Sequence, residues 1–227
     1  MPDTRSAAGG SGLTVVVVAG GDPPSPRAAV DLPDDRFVIA ADSGLDYAQG
    51  LGLRVDLVVG DLDSVSELGL AAARHTGTPV ERHPVAKDQT DLELALDHAA
   101  RLAPARVVVV GGTGGRFDHV VGNVLQLAHE RYGGIAIEAR FGAARVTVIR
   151  GGRGDHVLRG RRGQLVSLLP VHGVARRVTT VGLRFPLEGE DLGPGTSRGV
   201  SNEFEHQVAA VTVGEGTLLA IQPDALA

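Results

Sequence analysis

Hydrophobic residues are arranged in two different ways along this chain of 227 residues. In the first part they form short unbroken runs: Leu13-Thr14-Val15-Val16-Val17-Val18-Ala19, Phe37-Val38-Ile39-Ala40-Ala41, Leu57-Val58-Val59 and Arg106-Val107-Val108-Val109-Val110. A β-branched run without polar alternation is the profile of a strand buried on both faces. The first run stops at Gly20-Gly21-Asp22-Pro23-Pro24, which cannot continue a strand. Between the runs the spacing predicts helices over residues 45–51, 65–74, 91–102 and 118–131. Strands alternating with helices imply right-handed crossovers and a parallel sheet.

From about Arg150 the pattern changes. Short β-prone pieces at 156–158, 164–169, 174–181, 199–204, 207–213 and 218–221 are separated by Gly and Pro turns, without helical periodicity. The expected fold is therefore a Rossmann-like α/β N-terminal domain with a parallel sheet, followed by an all-β C-terminal sandwich domain. The expected divisions are a frayed or disordered N-terminus at 1–12, the α/β domain at 13–148 and the β domain at 149–227.

Composition narrows the chemistry. With no Cys, neither disulfides, thiolate nucleophiles nor sulfur-ligated zinc are available, which leaves oxygen and imidazole as metal ligands. Aromatic residues are only 3% of the chain with no Trp, so stacking on a flat substrate falls to five Phe and two Tyr. A net charge of -5 gives no global attraction to nucleic acid or an anionic membrane, so a small-molecule partner is expected. Residues 1–12 have no basic or apolar stretch of the signal-peptide kind, and the first apolar run is too short to span a bilayer. A cytoplasmic protein is expected.

The polar motifs stand where chemistry collects in a parallel sheet, beyond the carboxyl ends of strands. Ala41-Asp42-Ser43-Gly44 follows the second run, Gly60-Asp61-Leu62-Asp63-Ser64 the third, and Gly111-Gly112-Thr113-Gly114-Gly115-Arg116-Phe117-Asp118-His119 the fourth. In extended chain, Asp61 and Asp63 point the same way and can share a cation, although Asp63 or Ser64 also suits a helix cap. The only lysine, Lys87, lies in Lys87-Asp88-Gln89-Thr90-Asp91, and arginine supplies the rest of the 22 basic residues. A compact ammonium beside carboxylates suits phosphate chemistry, while Thr90 and Glu93 alone make a capping box. The Gly-rich segment lets backbone amides approach a phosphate and Arg116 add a bidentate contact. It lacks the Lys-Ser/Thr ending of a Walker A loop.

Taken in order, ADSG, GDLDS, KDQTDLELAL, GGTGGRFDHVVGN, VSLLP, GLRFPL and SNEF resemble the successive signatures of the thiamine pyrophosphokinase (thiamine diphosphokinase) family, from about Val15 to Ile221. The resemblance implies an N-terminal domain that binds ATP, a C-terminal β-sandwich that binds thiamine, and a homodimer whose sites are shared between subunits. It implies Mg2+-dependent transfer of pyrophosphate from ATP to the thiamine hydroxyl, giving thiamine diphosphate and AMP. By the family pattern Asp61, Asp63 and Asp91 are magnesium carboxylates, and Lys87 and Asp88 stand against the triphosphate and the attacking hydroxyl. Asp42, Thr113, Arg116, Asp118, His119 and Asn123 line the nucleotide side. Ser201 and Asn202 hydrogen-bond the aminopyrimidine, and Phe185 stacks, with Arg184 required to point away from the cationic thiazolium. Two other readings stay open at this point: a pyrophosphokinase for another heterocyclic alcohol such as a hydroxymethylpterin, and a non-catalytic nucleotide-binding protein of the same fold.

Overall fold

The computed structural model describes residues 12–86 and 88–227. Its N-terminal part holds β1 (Thr14–Ala19), β2 (Arg36–Ala41), α1 (Gly44–Gly50), β3 (Leu57–Gly60), α2 (Glu67–His75), β4 (Val80–Arg82), α3 (Asp91–Arg101), β5 (Arg106–Gly111), α4 (Phe117–Leu127) and β6 (Ala136–Phe141). Then come only strands: β7 (Ala144–Arg150), β8 (Asp155–Arg159), β9 (Leu165–Val181), β10 (Glu188–Leu192), β11 (Asn202–Glu203), β12 (Val208–Thr212) and β13 (Glu215–Gln222). Strands β4, β6, β7 and β10 are additions to the pattern-derived elements.

The sheet order is β4-β3-β2-β1-β5-β6-β7-β13-β9-β12-β8. Strands β1 to β6 pair in parallel, and every pairing from β6–β7 onward is antiparallel. All six residues of β1 are buried, and their alternation divides them between two cores. Val15, Val17 and Ala19 face a core with Leu92, Leu96 and Ala99 of α3. Val16 and Val18 face one with Leu45 and Ala48 of α1 and Ala73 of α2. Helices thus cover both faces, as an unbroken apolar strand requires.

The expected boundary at 148/149 falls inside β7. Val146 and Val148 of that strand, with Leu219 of β13, pack into the α3 core. Ile149, with Leu218 and Ala220 of β13, packs into the C-terminal core. One pair of strands is therefore shared by two hydrophobic cores, one on each face.

The long strand β9 closes the C-terminal core. Its first half pairs with β13 at Ser167 to Val171, and its second half pairs with β12 at Thr179 to Val181. The bend between them sits at His172 (φ 59) and Gly173 (φ 141), which separate the two pieces expected at 164–169 and 174–181.

Leu218 and Leu219 are adjacent, buried and committed to different cores. Replacing either by Ala is expected to cost about 2–5 kcal/mol. Because the strands are common, both variants should lower one cooperative transition, measured by denaturant unfolding followed with two probes. Separate transitions would contradict the shared-strand account.

Candidate active site

Chain order in the parallel part runs outward from β1 to β4 on one side, then resumes with β5 on the other side of β1. The gap between β1 and β5 is thus a topological switch point, where loops diverge and leave a crevice beyond the strand ends. A cleft of about 590 Å³ lies there, bordered by the loops after β1, β2, β3 and β5 and by the first turns of α3 and α4. Its floor depends on one glycine. Gly21 has φ +110, a Cβ there would stand 1.9 Å from the Thr113 carbonyl oxygen, and the neighbouring Asp22 N–H donates to that oxygen at 2.6 Å.

Carboxylates gather on one side of this cleft. Asp42, Asp61 and Asp91 each offer an oxygen, and the three oxygens lie within 4.8 Å of one another. Strand pairing puts two of them there: Ala41 pairs with Val59, and the Asp42 N–H donates to the Val59 carbonyl at 2.9 Å. Gly60 (φ +144) lets them close in, since a Cβ at that position would stand 3.1 Å from Asp91 Oδ1 and 3.3 Å from Asp42 Cβ. Asp42 itself has φ +50, a conformation that Asp tolerates better than most side chains. Its Oδ1 is buried and finds no hydrogen-bond partner among the described residues. Burial raises the Asp42 pKa above its ordinary value, bonds from Ser43 and Ser64 oppose this, and the charges of Asp91 and Asp61 add to it.

Asp63 lines the same cleft but stands outside the trio. The expectation of extended chain from Asp61 to Asp63 is not met, because Leu62 takes φ +67 and the Asp63 N–H turns back to Asp61 Oδ1 at 3.2 Å. Neither Asp63 nor Ser64 caps the following helix; Ser66 does, accepting from the Gly69 N–H. At α3 Thr90 caps the Glu93 N–H at 3.2 Å, but the Glu93 carboxylate pairs with Arg131 and does not complete a capping box.

On the opposite wall are Thr113, Arg116, His119 and Asn123. Asn123 holds the Gly112 carbonyl at 2.9 Å and so ties α4 to the Gly-rich loop. Arg116 pairs with the exposed Asp118 at 2.6 Å; this hydrogen bond raises the Arg116 pKa and lowers that of Asp118, so both stay charged. Asp118 does not line the cleft. Asp88 is exposed, and Lys87 lies outside the described residues. Next to them, Gln89 is tied to α3 through Asp97 at 3.0 Å, and Asp97 also accepts from Tyr132 at 2.7 Å. Gly20, Gly21 and Asp22 are cleft residues that motif spacing missed; applying the strand-end rule to β1 would have found them.

The remaining expected residues form a second depression of about 380 Å³, bordered by Phe185 and residues 196–202. Phe185 is 49% exposed. Ser201 is exposed with φ +56, and its N–H donates to Ser167 Oγ at 3.0 Å. Asn202 is only 2% exposed. Its side chain bonds both backbone groups of Phe185, accepting from the N–H at 3.0 Å and donating to the carbonyl at 2.7 Å. Arg184 pairs with Glu203 at 3.0 Å and lies over the Phe185 ring, 5.4 Å from its centroid.

Comparison with known proteins gives a consistent result. The catalytic domain of thiamin pyrophosphokinase matches residues 32–139, and its vitamin B1 binding domain matches 155–218. A thiamine pyrophosphokinase of Bacillus subtilis is 26% identical over 210 residues, which are 92% of this chain and 98% of the relative. The crystal structure of thiamine pyrophosphokinase from Bacillus subtilis superposes with a TM-score of 0.82 at 26% identity, over 92% of this chain and 98% of the other. One from Geobacillus thermodenitrificans gives 0.77 at 26% identity, over 92% and 96%. Two matched domains in the same order, carried on one shared fold, show that the chain belongs to the thiamine pyrophosphokinase family.

Proposed function

We propose that the chain transfers pyrophosphate from ATP to the hydroxyl of thiamine in the cleft at the β1/β5 switch, giving thiamine diphosphate and AMP. The observation that carries the reading is the meeting of the Asp42, Asp61 and Asp91 carboxylates opposite a Gly-rich loop with Arg116 and His119. Such a wall pair suits a metal–triphosphate: carboxylates for the ion, amides and cations for the phosphate oxygens.

The donor set fits magnesium. All its ligands are hard oxygens, and the buried, unpartnered Asp42 Oδ1 is the kind of atom a cation satisfies. Asp61, Asp91 and Asp42 would hold the ion, and Asp63 is a fourth carboxylate on the same cleft. When bound, magnesium neutralises phosphate charge and orients the triphosphate. The chain's own groups do the rest. Backbone amides of the Gly112–Gly115 segment cradle phosphate oxygens, Arg116 exchanges Asp118 for a phosphate, and Asp88 accepts the hydroxyl proton as oxygen attacks the β-phosphorus and AMP leaves. Phe185 offers a ring face and Ser201 a hydroxyl to thiamine.

The two depressions share no lining residue. A homodimer that sets the Phe185 depression of one subunit against the cleft of the other would complete the site. Helix α4, which borders the cleft, carries the apolar stripe such a contact needs: Phe117, Val121 and Leu125 are 77%, 40% and 42% exposed at helical spacing.

Incubation with ATP, magnesium and thiamine should give AMP and thiamine diphosphate in equal amounts by chromatography; AMP without thiamine diphosphate would exclude this acceptor. Asp91→Asn should lower kcat by about 10²–10³ with the melting temperature retained. Full activity in that variant would remove Asp91 from the site.

Asp42 gives a pH-linked expectation. Its folded-state pKa is raised, so this group favours folding when protonated, and that increment is lost as pH rises through the raised value. At neutral pH, Asp42→Asn should therefore leave the metal-free melting temperature unchanged or higher while abolishing the rise that magnesium gives the parent chain. A magnesium shift equal to the parent's would place the ion elsewhere. Val121→Glu should lower the mass measured by light scattering from dimer to monomer; an unchanged dimer would move the interface off α4.

A further inference from the structure

The family resemblance pairs Ser201 with Asn202 as two contacts of one ligand, but their side chains are used differently. An amide oxygen has two acceptor sites. Those of Asn202 Oδ1 are both taken, by the Phe185 N–H at 3.0 Å and the Glu203 N–H at 2.9 Å. Its Nδ2 gives one of its two hydrogens to the Phe185 carbonyl at 2.7 Å. No acceptor site is left for a ligand amine, and the residue is 2% exposed.

These bonds replace a missing strand partner. Phe185 lies in the connection between β9 and β10, where neither strand pairs with it. Just before it the chain is held by backbone: Arg184 N–H donates to the Glu203 carbonyl at 2.9 Å, and Leu183 bridges Phe204. At Phe185 the Asn202 carboxamide takes over, presenting one acceptor and one donor in the places a neighbouring peptide would. The ring is then fixed from a second side, because Arg184, anchored by Glu203, lies over one face. One ring face remains for the depression.

We infer that Asn202 is a positioning residue: it acts on the acceptor substrate only through Phe185, by holding that ring where a flat heterocycle can meet it, and does not itself touch the substrate. The inference rests on the reading of the Phe185 depression as the thiamine subsite. Its energetic content is preorganisation, since a ring on an unfixed loop must be ordered when the ligand binds.

A double-mutant cycle tests it, with KM for thiamine and for ATP and kcat measured in each variant. Phe185→Ala should raise the thiamine KM about tenfold, the size of one lost ring contact. Asn202→Ala should raise it by about threefold to tenfold in the parent chain, with the ATP KM unchanged. In the Phe185→Ala background the Asn202 effect should vanish. Should Asn202→Ala fail to fold, Asn202→Asp carries the same cycle: it keeps the acceptor bonds and loses the donor to the Phe185 carbonyl. If the two effects multiply, Asn202 contacts the substrate directly and the inference falls while the subsite stands. If Phe185→Ala leaves the thiamine KM unchanged, the subsite reading falls and takes the inference with it.

Discussion

Three carboxylate oxygens within 4.8 Å of one another set the terms for the rest of this molecule. Two full negative charges at that separation would repel by roughly 3 kcal/mol at an effective dielectric of about 20. The groups are kept together by backbone that has other reasons to be where it is. Asp42 and Asp61 follow adjacent parallel strands whose pairing is fixed by fully buried valine and alanine, and Asp91 opens a helix whose apolar face is locked into the β1 core. The carboxylates are thus positioned by hydrophobic packing, in a geometry that would suit a cation. Asp42 and Leu62 also have positive φ, where a surrounding structure must over-determine the conformation.

That packing is not confined to the half of the chain that bears the carboxylates. Strands β7 and β13 give one face to the α3 core and the other to the C-terminal core. Two separate domains would have to pay for their contact through a polar interface of their own and would move relative to each other by default. Here the partition is the sheet itself, so the cleft at the β1/β5 switch and the Phe185 depression are mounted on one continuous hydrogen-bonded frame.

Strands β1, β2, β3 and β5 were legible because their burial on both faces leaves little polar signal to confuse the pattern, whereas the exposed β4 has no such run. Strands β6 and β7 were hidden for the opposite reason. They carry Glu138, Arg140 and Arg145, which look like solvent residues but pair with one another; Arg140 is only 3% exposed and reaches the carbonyls of Ala28 and Val30. Glu138 also meets Arg106 of β5 at 2.7 Å, and pairing of this kind leaves no mark in the residue types themselves. The acidic β10 was missed likewise, since Asp191 is matched by Arg176 and Glu190 by Arg198. In the cleft, residue identity marked all four carboxylates but grouped Asp63 with Asp61 and Asp91 and set Asp42 on the nucleotide side; that Asp42 and not Asp63 joins the trio goes with the φ of Leu62, which is not written in the residue type. At Asn202 only the structure shows where the amide is spent.

The charges around the second depression bear on what it can accept. Two guanidiniums stand near it, Arg198 in its lining and Arg184 over the Phe185 ring, and a cationic thiazolium beside free arginines would be repelled. Neither is free. Arg184 is paired with Glu203, and Arg198 is held by both oxygens of Glu190 and by the Pro186 carbonyl. Each arginine therefore contributes a nearly neutral pair and not a net positive field. What it adds instead is rigidity, Arg184 to the ring of Phe185 and Arg198 to the loop that ends at Ser201. On the proposed reading, a depression built from neutral pairs, one ring face and the hydroxyls of Thr196, Ser197 and Ser201 would select by shape and stacking, and the positive charge of the substrate would be met by the carboxylate-rich cleft.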